Sequence, residues 1–92
     1  MDLQELRLRI DKIDDELIRL FERRMDVSAE IAGYKKPRGL PVYDPEREKQ
    51  KLRELSQKAA GKYKPYIESL YLLIFKLSRA EQDKIINAEE AL

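Results

Sequence analysis

Polar side chains stand at several positions where the spacing of the apolar residues calls for another apolar one. Arg24 interrupts the first apolar stripe of the chain, Glu48 the second, and Ser78 and Gln82 the third. Burying an unpaired charge or an unpaired polar group is costly, so such residues are normally given a partner. Three interrupted stripes predict a polar pocket inside a helical bundle, where ligand sites are commonly built.

Two further basic residues are candidates for the same pocket: one points the same way as Arg24, and the other lies beside the apolar stripe. Lys35 follows it by eleven residues, which is three helical turns, so the two side chains point the same way about 16 Å apart. Arg7 precedes Arg24 by seventeen residues, a separation of about 25 Å along one helix. Lys35 can therefore share a ligand with Arg24, whereas Arg7 of the same chain cannot reach that ligand.

The first apolar stripe, here called the seam, predicts one very long helix. Its members alternate at spacings of three and four, which is a heptad pattern typical of a helix over residues 2–36. Pro37 and Gly39 are expected to end this helix. The seam consists of Leu3, Leu6, Ile10, Ile13, Leu17, Leu20, Arg24, Val27, Ile31 and Tyr34.

A short second helix and a medium third helix are expected to follow. Asp44 and Pro45 predict the start of the second helix, as N-cap and first helical residue, and Gly61 is expected to cap its end. The third helix is predicted to follow Pro65, and the tail after residue 85 to be frayed. The expected buried sides are Glu48, Leu52, Leu55 and Ala59 in the second helix, and Ile67, Leu70, Tyr71, Ile74, Leu77, Ser78, Gln82 and Ile85 in the third.

The length of the predicted first helix, about 50 Å, points to a second copy of the chain. Two shorter helices cannot cover such a seam, so we expect an obligate, intertwined homodimer with antiparallel first helices. If the copies cross near residue 19, Arg7 of the partner subunit lies opposite residue 31, between Arg24 and Lys35. The dimer would thus bring a third cation to the pocket.

Composition narrows the classes of function. Among 92 residues, 19 basic and 18 acidic side chains give a net charge of +1, so we expect no nucleic-acid partner. No apolar run reaches the roughly 18 residues of a membrane span, and no signal peptide is recognisable, so we expect no membrane partner and a cytoplasmic location. The chain also has no histidine, the commonest metal ligand and the usual proton shuttle near neutral pH, and we expect its chemistry to need neither a metal ligand nor a shuttle of that kind.

Each candidate residue also has a purely structural interpretation, which the sequence leaves open. Basic residues can pair or lie in solvent, acidic residues can cap helices, and hydroxyls can bond to their own backbone. Among the basic residues, Arg24 could pair with an acid of the partner subunit, Lys35 could cap its helix, Arg7 could be a solvated charge, and Arg47 could support Asp44 or Glu48. Among the acidic residues, Asp44 could cap its helix and Glu48 could pair with Lys49 or Lys51. Ser78 could bond within its own helix, and Gln82 could be exposed to solvent.

Taken together, these residues resemble the site of the all-helical chorismate mutases. The resemblance covers about residues 3–84 and begins with the segment LRLRIDKIDDELIRLFERR, which contains Arg7 and Arg24. Lys35 follows that segment. The last two elements are Asp44-x-x-Arg47-Glu48 in the second helix and Ser78-x-x-x-Gln82 in the third.

The resemblance implies a fold and an activity. The fold would be all-α, with three helices per chain in an intertwined homodimer that has two equivalent active sites. Residues 1–92 would form a single chorismate mutase domain. The activity would be the conversion of chorismate to prephenate, an intramolecular [3,3] rearrangement on the route to phenylalanine and tyrosine, without a cofactor.

The resemblance also implies a role for each site residue. Arg24, Lys35 and Gln82 would be catalytic, and all eight residues would bind substrate. Arg7 of the partner subunit and Arg24 would hold the two carboxylates, and Ser78 would assist them. Lys35 and Gln82 would donate hydrogen bonds to the ether oxygen. Glu48, together with Asp44, would receive the ring hydroxyl, and Arg47 would orient the carboxylates.

Two other functions remain open at this stage. An isochorismate pyruvate lyase uses a similar helical dimer and a similar cationic pocket. A helical dimerisation or regulatory module that binds an acidic partner would need no catalysis at all. The substrate consumed separates the first from a mutase, and the effect of replacing Arg24 by leucine separates the second.

Overall fold

The computed structural model describes residues 2–88, which form three α-helices and two short 3₁₀ turns. Helix α1 spans Leu3–Lys35, α2 spans Pro45–Lys58 and α3 spans Lys64–Asn87. The 3₁₀ turns, Lys36–Arg38 and Gly61–Tyr63, lie in the two connections. No strand occurs among these residues, so the predicted all-α chain with one very long helix is confirmed.

Helix α1 begins and ends where the sequence predicted. The Asp2 side chain caps it by accepting a hydrogen bond from the backbone N–H of Glu5 at 2.8 Å. At the other end, the chain tightens into the first 3₁₀ turn, which Gly39 ends with a φ of +62°. Glycine suits this position because it adopts left-handed backbone angles without a steric penalty.

The connection between α2 and α3 differs from the prediction. Asp44 does cap α2, accepting from the backbone N–H of Arg47 at 3.1 Å. The expectation that Gly61 caps the end of α2 is wrong, because the backbone already turns extended at Ala59 and Gly61 begins the second 3₁₀ turn. Helix α3 then starts at Lys64, one residue before the proline predicted to precede it.

A lysine joins the ends of α1 and α3. Lys36 Nζ donates to the backbone oxygens of Ile85 at 3.0 Å and of Ala88 at 2.8 Å. The Ile85 oxygen also accepts from the backbone N–H of Ala88 at 3.3 Å, so Lys36 adds a second bond there and ties the end of α3 to the end of α1. The tail predicted to fray is helical through Asn87, and residues 89–92 lie outside the described part of the chain.

Burial within the chain is concentrated where α3 packs against α1 and α2. Among the described residues, the buried apolar side chains are Ala32 and Phe75, and the buried polar ones are Ser28 and Gln82. Ser28 and Ala32 are small residues four apart on α1, which lets α3 approach closely. Within α1, the buried residues described therefore lie only in its C-terminal half.

One chain buries only part of the predicted buried side of α3. Two of its members, Leu70 and Leu77, are 47% and 41% exposed within the chain, whereas Phe75, which the prediction does not include, is only 6% exposed. The reason is that α3 turns the face bearing Tyr71, Phe75 and Gln82 toward α1, and Leu70 and Leu77 lie on another face.

The seam is uncovered within the chain. Its apolar members are between 41% and 60% exposed, and every residue from 2 to 23 is exposed. The chain is correspondingly flat, measuring 58 × 31 × 14 Å. None of the helices described is long and apolar enough to cross a membrane.

Candidate active site

A cavity of about 450 Å³ between the three helices brings together seven of the eight predicted site residues. They come from the end of α1, the start of α2 and the second half of α3. The seven are Arg24, Lys35, Asp44, Arg47, Glu48, Ser78 and Gln82, and the lining also includes Ile31, Val42, Lys51, Phe75 and Arg79.

Arg24 is half-buried against two aromatic rings. Its guanidinium carbon lies 5.9 Å from the ring centroid of Tyr71 and 5.8 Å from that of Phe75. Both rings attract the cation and hold it beside the cavity. No salt bridge among residues 2–88 involves Arg24, so an anionic ligand would be a suitable partner for its charge.

Lys35 is the last residue of α1, and its side chain contacts the connection between α1 and α2. Its Nζ donates to the backbone oxygen of Val42 at 3.2 Å. An ammonium group has three donors, so this bond leaves two for a ligand in the cavity. The side chain therefore combines a loop anchor with a cation that faces the site.

Glu48 has a partner on another helix. Arg79 Nη1 contacts both of its carboxylate oxygens, at 2.6 Å from Oε2. The alternative that Glu48 pairs within α2 is wrong, because Lys49 instead faces Glu46 at 3.8 Å and Lys51 faces Glu54 at 3.9 Å. The Glu48 carboxylate thus stays at the cavity wall rather than turning along its own helix.

The other two α2 residues stand at the start of that helix. Asp44 lines the cavity while its Oδ1 caps the helix, so the structural interpretation of Asp44 is confirmed and leaves its second oxygen for other contacts. Arg47 is exposed at the cavity rim. Its guanidinium is free to approach a ligand from the solvent side.

Gln82 belongs to a small polar network between α3 and α1. It is 7% exposed, so the alternative that it lies in solvent is wrong. Its Nε2 donates to Ser28 Oγ at 2.9 Å, and Ser28 Oγ forms a very short hydrogen bond with Ser78 Oγ. The Ser78 hydroxyl is therefore bonded across the helix interface, and not within its own helix as its structural alternative would require.

The Gln82 amide has one unused group. Its Oε1 is buried and has no hydrogen-bond partner. A buried acceptor without a partner costs about 1–3 kcal/mol, so a bound donor would be favoured there. If the amide rotated by half a turn, its oxygen could accept from the Ser28 hydroxyl, and the NH₂ group would be released to donate to a ligand.

The charges of the cavity favour a small anion. Five cations line it, Arg24, Lys35, Arg47, Lys51 and Arg79, against the two carboxylates of Asp44 and Glu48. Five positive charges less two negative charges leave a formal excess of three positive charges in the cavity, and this excess would attract a doubly negative ligand. Within residues 2–88, no group of three or more His, Cys, Asp or Glu side chains could hold a metal ion.

Arg7 is the one predicted site residue that lies apart. It is exposed on the N-terminal half of α1, about 25 Å along the helix from Arg24. A single chain thus provides the cavity without it, as the helix geometry required.

Two residues of the site escaped the sequence interpretation. Ser28 could have been noticed, because small residues four apart, Ser28 and Ala32, indicate close packing of another helix. Arg79 carries no such signal, since its position opposite Glu48 depends on how α2 and α3 dock.

The chain matches proteins with known names over most of its length. Residues 6–83 match the family model for chorismate mutase type II. The T-protein of Haemophilus influenzae is 36% identical over 93 residues, which cover 95% of this chain. The chorismate mutase of Methanocaldococcus jannaschii is 40% identical over 47 residues, about half of each chain. This chain spans about a quarter of the T-protein and about half of the M. jannaschii enzyme.

A solved structure is similar over the whole described fold. The chorismate mutase from Helicobacter pylori, crystallised in complex with prephenate, superposes with a TM-score of 0.84 and 32% sequence identity. The match covers 96% of this chain and 97% of that one. The chain belongs to the chorismate mutase type II family.

Proposed function

We propose that this chain converts chorismate to prephenate by an intramolecular [3,3] rearrangement, within the biosynthesis of phenylalanine and tyrosine. The observation that carries the proposal is the cavity, which assembles seven predicted substrate-binding residues from three helices around an excess of positive charge. The similarity to an enzyme crystallised with prephenate supports the same substrate class.

The reaction requires no reactive side chain from the protein. It breaks a carbon–oxygen bond and forms a carbon–carbon bond inside one molecule, so no nucleophile, metal or proton transfer is required. The protein must confine a flexible dianion in its reactive shape, and orientation of this kind is worth several kcal/mol. It must also place donors where negative charge develops, at the ether oxygen.

Arg24 and its neighbours are proposed to hold the carboxylates. The planar guanidinium of arginine matches a carboxylate with two parallel hydrogen bonds, and the rings of Tyr71 and Phe75 already fix its position. Ser78 would assist from α3, and Arg47 would orient the carboxylates from the rim. Arg7 of the partner subunit would supply the remaining cation.

Lys35 and Gln82 are proposed to stabilise the transition state. As the carbon–oxygen bond breaks, negative charge grows on the ether oxygen. Lys35 has donors available for that oxygen, and the NH₂ group of Gln82 becomes available once its amide rotates away from Ser28. Comparable donors at oxyanion sites contribute about 3–4 kcal/mol each. On the opposite wall, Glu48 with Asp44 would accept the hydrogen bond of the ring hydroxyl.

A second copy of the chain is proposed to complete the enzyme as an intertwined homodimer. The support is the uncovered seam of α1, together with a second exposed apolar row on α3 formed by Tyr66, Leu70, Leu73 and Leu77. Such a large apolar surface marks a protein interface. Antiparallel packing would cover both surfaces and would bring Arg7 of the partner subunit to the cavity.

An assay of substrate consumption tests the function. We expect the purified chain to convert chorismate to prephenate, followed by loss of chorismate absorbance and by chromatography of the product. Formation of salicylate and pyruvate from isochorismate, without prephenate from chorismate, would identify a lyase instead. Absence of both reactions would favour a non-enzymatic helical module.

The cytoplasmic location and the single domain over residues 1–92 stay predictions.

The pH dependence gives a test that is specific to Gln82. An amide donates a hydrogen bond at any ordinary pH, whereas a carboxyl in its place would first have to be protonated. We therefore expect kcat to be roughly flat between about pH 6 and pH 8. A steep loss of kcat across this range, measured at saturating chorismate, would contradict the neutral-donor role.

A further inference from the structure

Arg79 lines the cavity but has none of the roles assigned above. Its contact with Glu48 joins α3 to α2, and the two side chains are only 30% and 24% exposed. A charge pair that is mostly shielded from water is weakened less by solvent and salt than a surface pair is. One guanidinium nitrogen contacts both carboxylate oxygens, and this geometry restricts both side chains.

The guanidinium of Arg79 is itself held in place. It lies 4.7 Å from the ring centroid of Tyr43, the residue that precedes the N-cap of α2. The hydrogen bond to Glu48 raises the pKa of Arg79, while burial opposes this effect, so Arg79 remains a cation under all working conditions. Tyr43 and Arg79 thus lie together behind the Glu48 carboxylate.

Without that support, Glu48 would have other cations to pair with. Lys51 lies one turn further along α2 and lines the same cavity, as do Arg24 and Lys35. A turn of Glu48 toward any of them would remove the hydroxyl acceptor. It would also neutralise a cation that the substrate carboxylates or the ether oxygen require.

We propose that Arg79 is a positioning residue that holds the Glu48 carboxylate ready to accept the ring hydroxyl of the substrate. The inference rests on the proposed function. A carboxylate offers about four lone-pair sites, so the contacts with Arg79 leave room for a hydroxyl donor. Arg79 touches Glu48 and not the substrate, and its effect on catalysis passes through Glu48.

The test is a kinetic double-mutant cycle. We expect Arg79→Met to raise KM about tenfold with kcat changed by less than about twofold, because the hydroxyl contact exists in both bound substrate and transition state. Arg79→Lys should restore most of the loss. In an enzyme already carrying Glu48→Gln, adding Arg79→Met should change KM by less than about twofold, since its partner is gone.

Other results would overturn the role. An equal loss from Arg79→Met with and without Glu48→Gln would mean that Arg79 binds the substrate itself. Unchanged kinetics with a lower midpoint of urea unfolding would mean that it only stabilises the fold. If the wild type does not turn over chorismate, the proposed function fails and the role of Arg79 fails with it. Wild-type turnover with an unchanged KM in Arg79→Met would overturn the role of Arg79 alone.

Discussion

Replacing Lys35 with alanine should lower kcat by about a hundredfold to a thousandfold, which is the usual effect of removing one donor from a preorganised oxyanion site. The ammonium group is proposed to meet the ether oxygen as negative charge develops there. Its contribution is therefore larger in the transition state than in the bound substrate, and KM should change less than kcat.

The measurement is steady-state kinetics of chorismate consumption, with a matched lysine variant as control. Lys49→Ala removes an exposed lysine of α2 that faces Glu46 and lies outside the cavity, so it should keep wild-type kinetics. Because Lys35 also donates to Val42, circular dichroism should confirm that the variant is folded. Wild-type kcat in a folded Lys35→Ala variant would remove the proposed electrostatic catalysis.

Replacing Arg24 with leucine should abolish turnover without weakening the fold. Leucine would restore the apolar seam on the side of α1 that faces Tyr71 and Phe75. Exchanging a partly buried charge for an apolar residue of similar volume is often neutral or stabilising. Loss of the carboxylate clamp should lower kcat/KM by at least about a thousandfold, as expected when a charged hydrogen-bonding pair and the substrate orientation are both lost.

Arg24→Leu is expected to remove activity without lowering the thermal stability of the protein. Thermal unfolding should show an unchanged or higher Tm, while the same sample loses chorismate turnover. Arg53→Leu, the same change at an exposed position of α2 outside the cavity, should leave turnover intact. A large drop in Tm would instead indicate that Arg24 is a structural ion-pair partner, and full activity would exclude it from the site.

Most of the fold could be predicted from local signals in the sequence. The heptad spacing of the seam, the Asp44-Pro45 start of α2 and the stop at Pro37 and Gly39 all depend on neighbouring residues, and the structure agrees with each. The end of α2 at Ala59 carries no comparable signal, because two alanines do not break a helix by themselves.

In the candidate site, too, some features could be predicted from the sequence and others could not. Residues placed by helix periodicity, such as Arg24, Lys35 and Gln82, do come together in one cavity. Their partners could not be predicted, because they depend on how the helices dock: Glu48 contacts Arg79, and Gln82 contacts Ser28. Periodicity locates a face of a helix, whereas a contact across helices also requires their relative rotation and height.

Assembly of each site from two chains is the central claim, and subunit complementation tests it most directly. Arg7→Ala and Arg24→Leu should each be nearly inactive as homodimers, since every site lacks one carboxylate ligand. A heterodimer of the two variants would have one site with both arginines and one site with neither.

Equal amounts of the two variants, unfolded together and refolded, should pair at random. Half of the dimers would then contain one intact site of two, so the mixture should recover about a quarter of wild-type chorismate mutase activity. A mixture no more active than the separate variants, with heterodimers shown to be present by mass spectrometry, would mean that residue 7 does not serve the neighbouring chain's cavity.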